Sequence, residues 1–102
     1  MSVKSNLICS LGIGKKNAKT RAQLAQELGI SDRMLRRYVN QSRKDGRAII
    51  STSDGTGYYL AANDDEIQHL IAELLSRARD HYSTATALGK LITDPAQTQM
   101  EI

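Results

Sequence analysis

Apolar positions along the chain recur with two periods, and the points where the period changes divide it into elements. Val3, Leu7, Ile8 and Leu11 return at helical spacing and predict a first helix, ended by Gly12 and Gly14. The polar stretch GKKNAK at residues 14–19 then reads as a connection. Thr20 followed by Gln23 has the form of a capping box, which starts a second helix near Arg21. Leu24, Ala25 and Leu28 face inward along it, and Gly29 ends it because glycine takes a positive φ at low steric cost. Ser31 caps a third helix and places Asp32 in its first turn, where the helix dipole favours an anion. With Leu35 at zero and a step of about 100° per residue, Tyr38, Val39 and Ser42 lie within about 60° of it and form the inward stripe. Arg33, Arg36, Arg37, Asn40 and Lys44 gather on the outward side, between about 100° and 200°. Asp45 and Gly46 close this helix.

The period then shortens. RAIIS at residues 47–51 and YYLA at residues 58–61 flank the turn-rich TSDGTG, with Asp54-Gly55 as the hairpin signal. A lone two-stranded ribbon is marginal in water, so this one must pack on the helices. Ile49 or Ile50, with Leu60 and one of Tyr58 or Tyr59, are the expected anchors. Asn63, Asp64, Asp65 and Glu66 open a last helix with an asparagine cap and an acidic first turn. From Ile67 to Ile92 its apolar residues keep to one face, among them Ile71, Leu74, Ala78, Tyr82, Ala85 and Leu88. Unbroken, that helix runs for about 43 Å, against a radius of gyration of about 13 Å for a domain of this size. It therefore either folds back through a break near Ser83 or Gly89, or meets the same helix of a second chain. The fold class expected is mainly α with a small β-hairpin: residues 1–62 as one domain, residues 63–92 as a long packing or dimerisation helix, and residues 93–102 as a flexible tail.

Charge sharpens this picture. The net charge of +3 conceals +7 on residues 15–47 and −5 on residues 48–102. A basic segment on the outward side of a helix attracts polyanions; the alternative is that it complements the acidic half of a neighbouring copy. Composition excludes other classes. No apolar run reaches the roughly 18 residues that cross a bilayer, and the start MSVKSNLICSLG carries no convincing secretory signal, so a cytoplasmic protein is expected. A single cysteine, Cys9, forms no internal disulfide and reads as a small buried hydrophobe; one Cys and two distant His supply no metal site. GIGKK at residues 12–16 is too short for a phosphate-binding loop, and no Ser or Cys has a recognisable base, so neither enzymatic activity nor a cofactor is expected. His69 reads as solvated and His81 as packed or interfacial.

If Gly29 is the turn of a helix-turn-helix, then Leu24, Ala25, Leu28, Ile30 and Leu35 occupy positions where that motif needs small or apolar residues. Together with GKKNA (14–18), ISDRxxR (30–36), RKDG (43–46) and GYYL (57–60) ahead of an acidic helix, this pattern resembles the small winged helix-turn-helix proteins of phages and prophages of Gram-positive bacteria. The resemblance covers roughly residues 3–92 and implies a winged helix-turn-helix followed by a long C-terminal helix, binding double-stranded DNA as a transcriptional regulator. An accessory role in phage-type replication, or an adaptor whose last helix recruits a partner, is the alternative. On the DNA reading Arg33, Arg37 and Asn40 are placed for base edges. Ser31, Arg36, Arg43 and Lys44 are expected on phosphate, and Thr52, Ser53 and Thr56 on the backbone or minor groove. Asp32 stands against it, since a carboxylate beside phosphate repels.

Overall fold

The computed structural model describes residues 2–92, and the tail expected from residue 93 lies outside them. Four helices and three short strands follow one another: α1 (Val3–Ser10), a 3-10 turn (Lys15–Asn17), β1 (Lys19–Thr20), α2 (Arg21–Leu28), α3 (Asp32–Lys44), β2 (Ile49–Ser51), β3 (Gly57–Leu60) and α4 (Asp64–Gly89). The strands form one antiparallel sheet in the order β1-β3-β2. The fold is thus mainly helical with a small sheet. The chain divides into two compact units, with the boundary between Gln68 and His69, inside α4.

The first unit has a core of Leu7, Leu11, Leu24, Leu35, Val39, Ile49 and Tyr58, drawn from α1, α2, α3 and the sheet. Each helix starts on a side-chain cap that satisfies a first-turn amide. Ser2 accepts from the Ser5 amide, Thr20 from Gln23, Ser31 from Met34 and Asn63 from Glu66. Thr20 does this as a residue of β1 opposite Gly57, and among the described residues Gln23 makes no return bond, so the reciprocal half of the expected capping box does not form. Gly29 ends α2 at φ 66°, and its successor Ile30 donates to the Ala25 carbonyl at 3.0 Å. Ile49 and Tyr58 point into the helical core, while Ile50 and Tyr59, one residue along each strand, are buried on the other face of the sheet.

The expected polar connection is more ordered than its composition suggests. Gly14 donates to the Leu60 carbonyl and Leu60 to the Gly12 carbonyl, both at 2.8 Å, and β1 then adds a third strand that hydrophobic patterning, blind to a two-residue strand, does not announce. Gly57 lets β1 approach: a Cβ there would collide with the Lys19 carbonyl.

Cys9, expected to be buried, is exposed. It follows Leu7, which is fully buried, by two residues, about 200° round the helix. At the start of α4 Glu66 accepts from the Ala62 amide at 2.9 Å, and its carboxylate acts on the buried Tyr59. Burial, then the nearby Glu66 carboxylate, raise the Tyr59 pKa above its usual 10.0.

The second unit begins at His69 and holds the remainder of α4. This helix is 26 residues long, about 39 Å, and is continuous through Ser83. Thr84 and Thr86 donate to the carbonyls of Asp80 and Tyr82, four residues back, so these hydroxyls ride on the helix rather than interrupt it. Residues 71–90 are all exposed in this chain, including His81 and the apolar Ile71, Leu74, Leu75, Tyr82 and Leu88. Among the described residues no helix is long and apolar enough to cross a membrane.

Candidate functional site

The outward face of α3 is where charge, exposure and regular geometry coincide. Leu35, Val39 and Ser42 are buried and fix which side of the helix faces in. Arg33, Arg37, Asn40 and Lys44 are exposed, and they lie at intervals of 4, 3 and 4, one row within about 60° that runs about 17 Å along the axis. Among the described residues none of the four makes a side-chain hydrogen bond or ion pair. Three cations and an amide with its donors and acceptor open are therefore presented by one rigid helix.

The flank of the row is organised differently. Asp32 receives Arg36 Nε at 3.2 Å and Arg21 Nε at 3.5 Å, so its carboxylate ties the start of α3 to the first residue of α2 and its charge is matched by two guanidinium groups. Exposed pairs of this kind contribute little to stability, but this one accounts for an acid within a basic face. Arg43 turns toward the sheet: Nε donates to the Ile49 carbonyl at 2.8 Å and Nη2 to Ser51 Oγ at 3.1 Å. Its guanidinium thereby fastens the end of α3 to β2. Beyond it, Lys4 Nζ meets Asp45 Oδ2 at 2.8 Å, and this bond, then the ammonium charge, hold the Asp45 pKa below its ordinary value.

At the other end of α3, Ser31 Oγ is occupied as a cap by the Met34 amide. The amides of Asp32 and Arg33 are the first-turn donors left without a helical acceptor.

In the β2–β3 loop, the hydroxyls of Thr52 and Thr56 both donate to Asp54 Oδ1, at 2.7 and 2.8 Å, and the Thr56 amide adds a third bond at 3.1 Å. Thr52 Oγ1 also accepts from the Gly57 amide. The bond from Thr52, then those from Thr56, lower the Asp54 pKa to about 2. The hairpin closes on a five-residue loop in which Gly55, at φ 74°, donates to the Thr52 carbonyl. Ser53 is the loop hydroxyl without a hydrogen bond among the described residues, and the charge at the tip is negative.

Of the expected contact residues, the structure brings Arg33, Arg37, Asn40 and Lys44 together, places Arg36 and Ser31 beside them with partners of their own, and turns Arg43, Thr52 and Thr56 to internal contacts. Patterning locates the row because a helix has one phase. It does not find the Asp32 bridge or the Arg43 clasp, which join segments separated in sequence. The chain matches no known family model, no curated protein and no solved structure.

Proposed function

We propose that this chain binds double-stranded DNA sequence-specifically through α3, as a small homodimeric transcriptional regulator of winged helix-turn-helix type. The observation that carries the reading is the row Arg33, Arg37, Asn40 and Lys44: four unengaged polar side chains in phase on one helix. A DNA major groove is about 12 Å wide and admits such a helix. Arg33 and Arg37 have the forked donors that match guanine O6 and N7, and Asn40 the donor and acceptor that match adenine. Lys44, at the end of the row, suits phosphate. The open amides of Asp32 and Arg33 offer a second phosphate position, beside Arg36.

The winged helix-turn-helix reading is supported by two helices joined through a left-handed Gly29, followed by a hairpin closed by Asp54 and clasped to α3 by Arg43. The hairpin's role is secondary: its threonines are committed to Asp54, and that carboxylate repels phosphate. Arg43 acts on this reading as a positioning residue for the hairpin. The homodimer is assigned to α4, whose Ile71, Leu74, Ala78, Tyr82, Ala85 and Leu88 form an exposed stripe.

Fluorescence anisotropy with a labelled duplex tests the DNA contact. Wild type binds at low salt, and its affinity falls as salt rises, because bound cations release counterions. An Arg33→Ala, Arg37→Ala double variant with unchanged helical content loses at least tenfold, since each lost bidentate contact costs about 1–3 kcal/mol. Equal binding by the two proteins contradicts the assignment.

A further inference from the structure

The homodimer proposed above leaves open how two copies of α4 meet, and the order of side-chain sizes along the helix answers it. Ile71, Leu75, Ala78, Tyr82, Ala85 and Gly89 follow one another at intervals of 4, 3, 4, 3 and 4, the spacing of a two-helix seam. All are exposed in this chain, and Leu75, Ala78 and Tyr82 line a shallow open groove of about 550 Å³. Their sizes run large, large, small, large, small, small. Read from the other end, the order is small, small, large, small, large, large.

We propose that α4 pairs with α4 of a second copy in antiparallel sense, with residue i opposite residue 160 − i. Ile71 then meets Gly89, Leu75 meets Ala85 and Ala78 meets Tyr82, so each layer contains one large and one small side chain. The parallel arrangement sets Tyr82 on Tyr82 and stacks Ala78, Ala85 and Gly89 on themselves. It overfills one layer and leaves voids in three, and interiors tolerate neither.

Charge favours the same sense. Asp64, Asp65, Glu66 and Glu73 place −4 on residues 64–73, whereas residues 77–90 carry +2 from Arg77, Arg79 and Lys90 against Asp80. Parallel pairing brings the two acidic ends to the same height, about one Debye length apart across the pair. Antiparallel pairing separates the two Asp64, Asp65 and Glu66 clusters by about 45 Å and the two Glu73 by about 21 Å along the axis, where salt screens them. Arg79 does not discriminate, because both arrangements bring its two copies together near the middle.

The test uses the full chain with Cys9→Ser and a spin label on Asp65→Cys, an exposed position away from the seam. Light scattering first reports the mass, and pulsed dipolar spectroscopy then reports the distance between labels. The proposal expects a dimer with labels roughly 45 Å apart. A dimer with labels within about 25 Å is parallel and overturns the antiparallel pairing while leaving the dimer intact. A monomer at tens of micromolar overturns the pairing and the dimer together. Register is read separately on the Cys9→Ser background: Leu75→Cys mixed with Ala85→Cys yields a crosslinked heterodimer under mild oxidation, and Ala85→Cys alone does not crosslink. Self-crosslinking of Ala85→Cys without the mixed product contradicts the register.

Discussion

Asp54 sits between two threonines whose hydroxyls both donate to one of its oxygens, at 2.7 and 2.8 Å, with the Thr56 amide as a third donor. Hydrogen bonds to the ionised form lower its pKa to about 2. A depressed folded-state value means that the loop's stabilisation is full above the ordinary 3.8 and is lost as pH falls from there through about 2. A carboxyl carbon titration by NMR is expected to give a midpoint near 2, with the Thr56 amide resonance moving alongside it; a midpoint near 3.8 contradicts the network. The same scale separates base from phosphate contacts on α3. Arg37→Ala is expected to cost about 1–3 kcal/mol and to relax preference at one base pair, whereas Lys44→Ala weakens all duplexes and shallows the salt dependence by about one. Binding measured on matched and mismatched duplexes at several salt concentrations distinguishes them. The outward position of these residues was legible from the phase of α3 alone. The engagement of Arg43 with Ile49 and of Asp32 with Arg21 was not, because a side chain's partner across a fold leaves no period in the sequence.

Among the elements, helices and their caps follow closely from local signals. Thr20, Ser31 and Asn63 each accept an amide three residues on, because an N-cap is a decision made within one turn. The sheet is less legible. β1 has two residues, and its reason to exist is nonlocal: the antiparallel partner β3 and the close approach that Gly57 permits. Gly57→Ala is expected to lower stability by about 1–3 kcal/mol, read as an earlier denaturant midpoint, because the added methyl meets backbone rather than a side chain free to move. An unchanged midpoint contradicts that close approach. Cys9 shows the limit of composition: an apolar neighbourhood in sequence became an exposed position once Leu7 set the phase of α1.

For the whole molecule, the division of charge noted in the sequence does not coincide with the division of structure. The acidic Asp54, Asp64, Asp65 and Glu66 lie with basic residues 15–47 in the unit that ends at Gln68, whereas Arg77, Arg79 and Lys90 lie in the unit that begins at His69. α4 runs unbroken through Ser83, so the apolar stripe does not fold back at that residue, and the helix ends at Gly89, the other position where a break was expected. Replacing Leu75 and Tyr82, both exposed and both in the proposed seam, by glutamate is expected to convert a dimer into a monomer by light scattering at tens of micromolar, with the melting of the first unit little changed. An unchanged mass contradicts assembly through α4. The central claim, sequence-specific recognition of duplex DNA by α3, meets its most direct test in selection of bound sequences from a random duplex pool by the wild-type chain, with the Arg33→Ala, Arg37→Ala variant in parallel. The wild-type chain is expected to enrich a recurrent, near-palindromic motif containing guanine that the variant does not recover. Failure of any motif to enrich at low salt, or recovery of the same motif by both proteins, contradicts it.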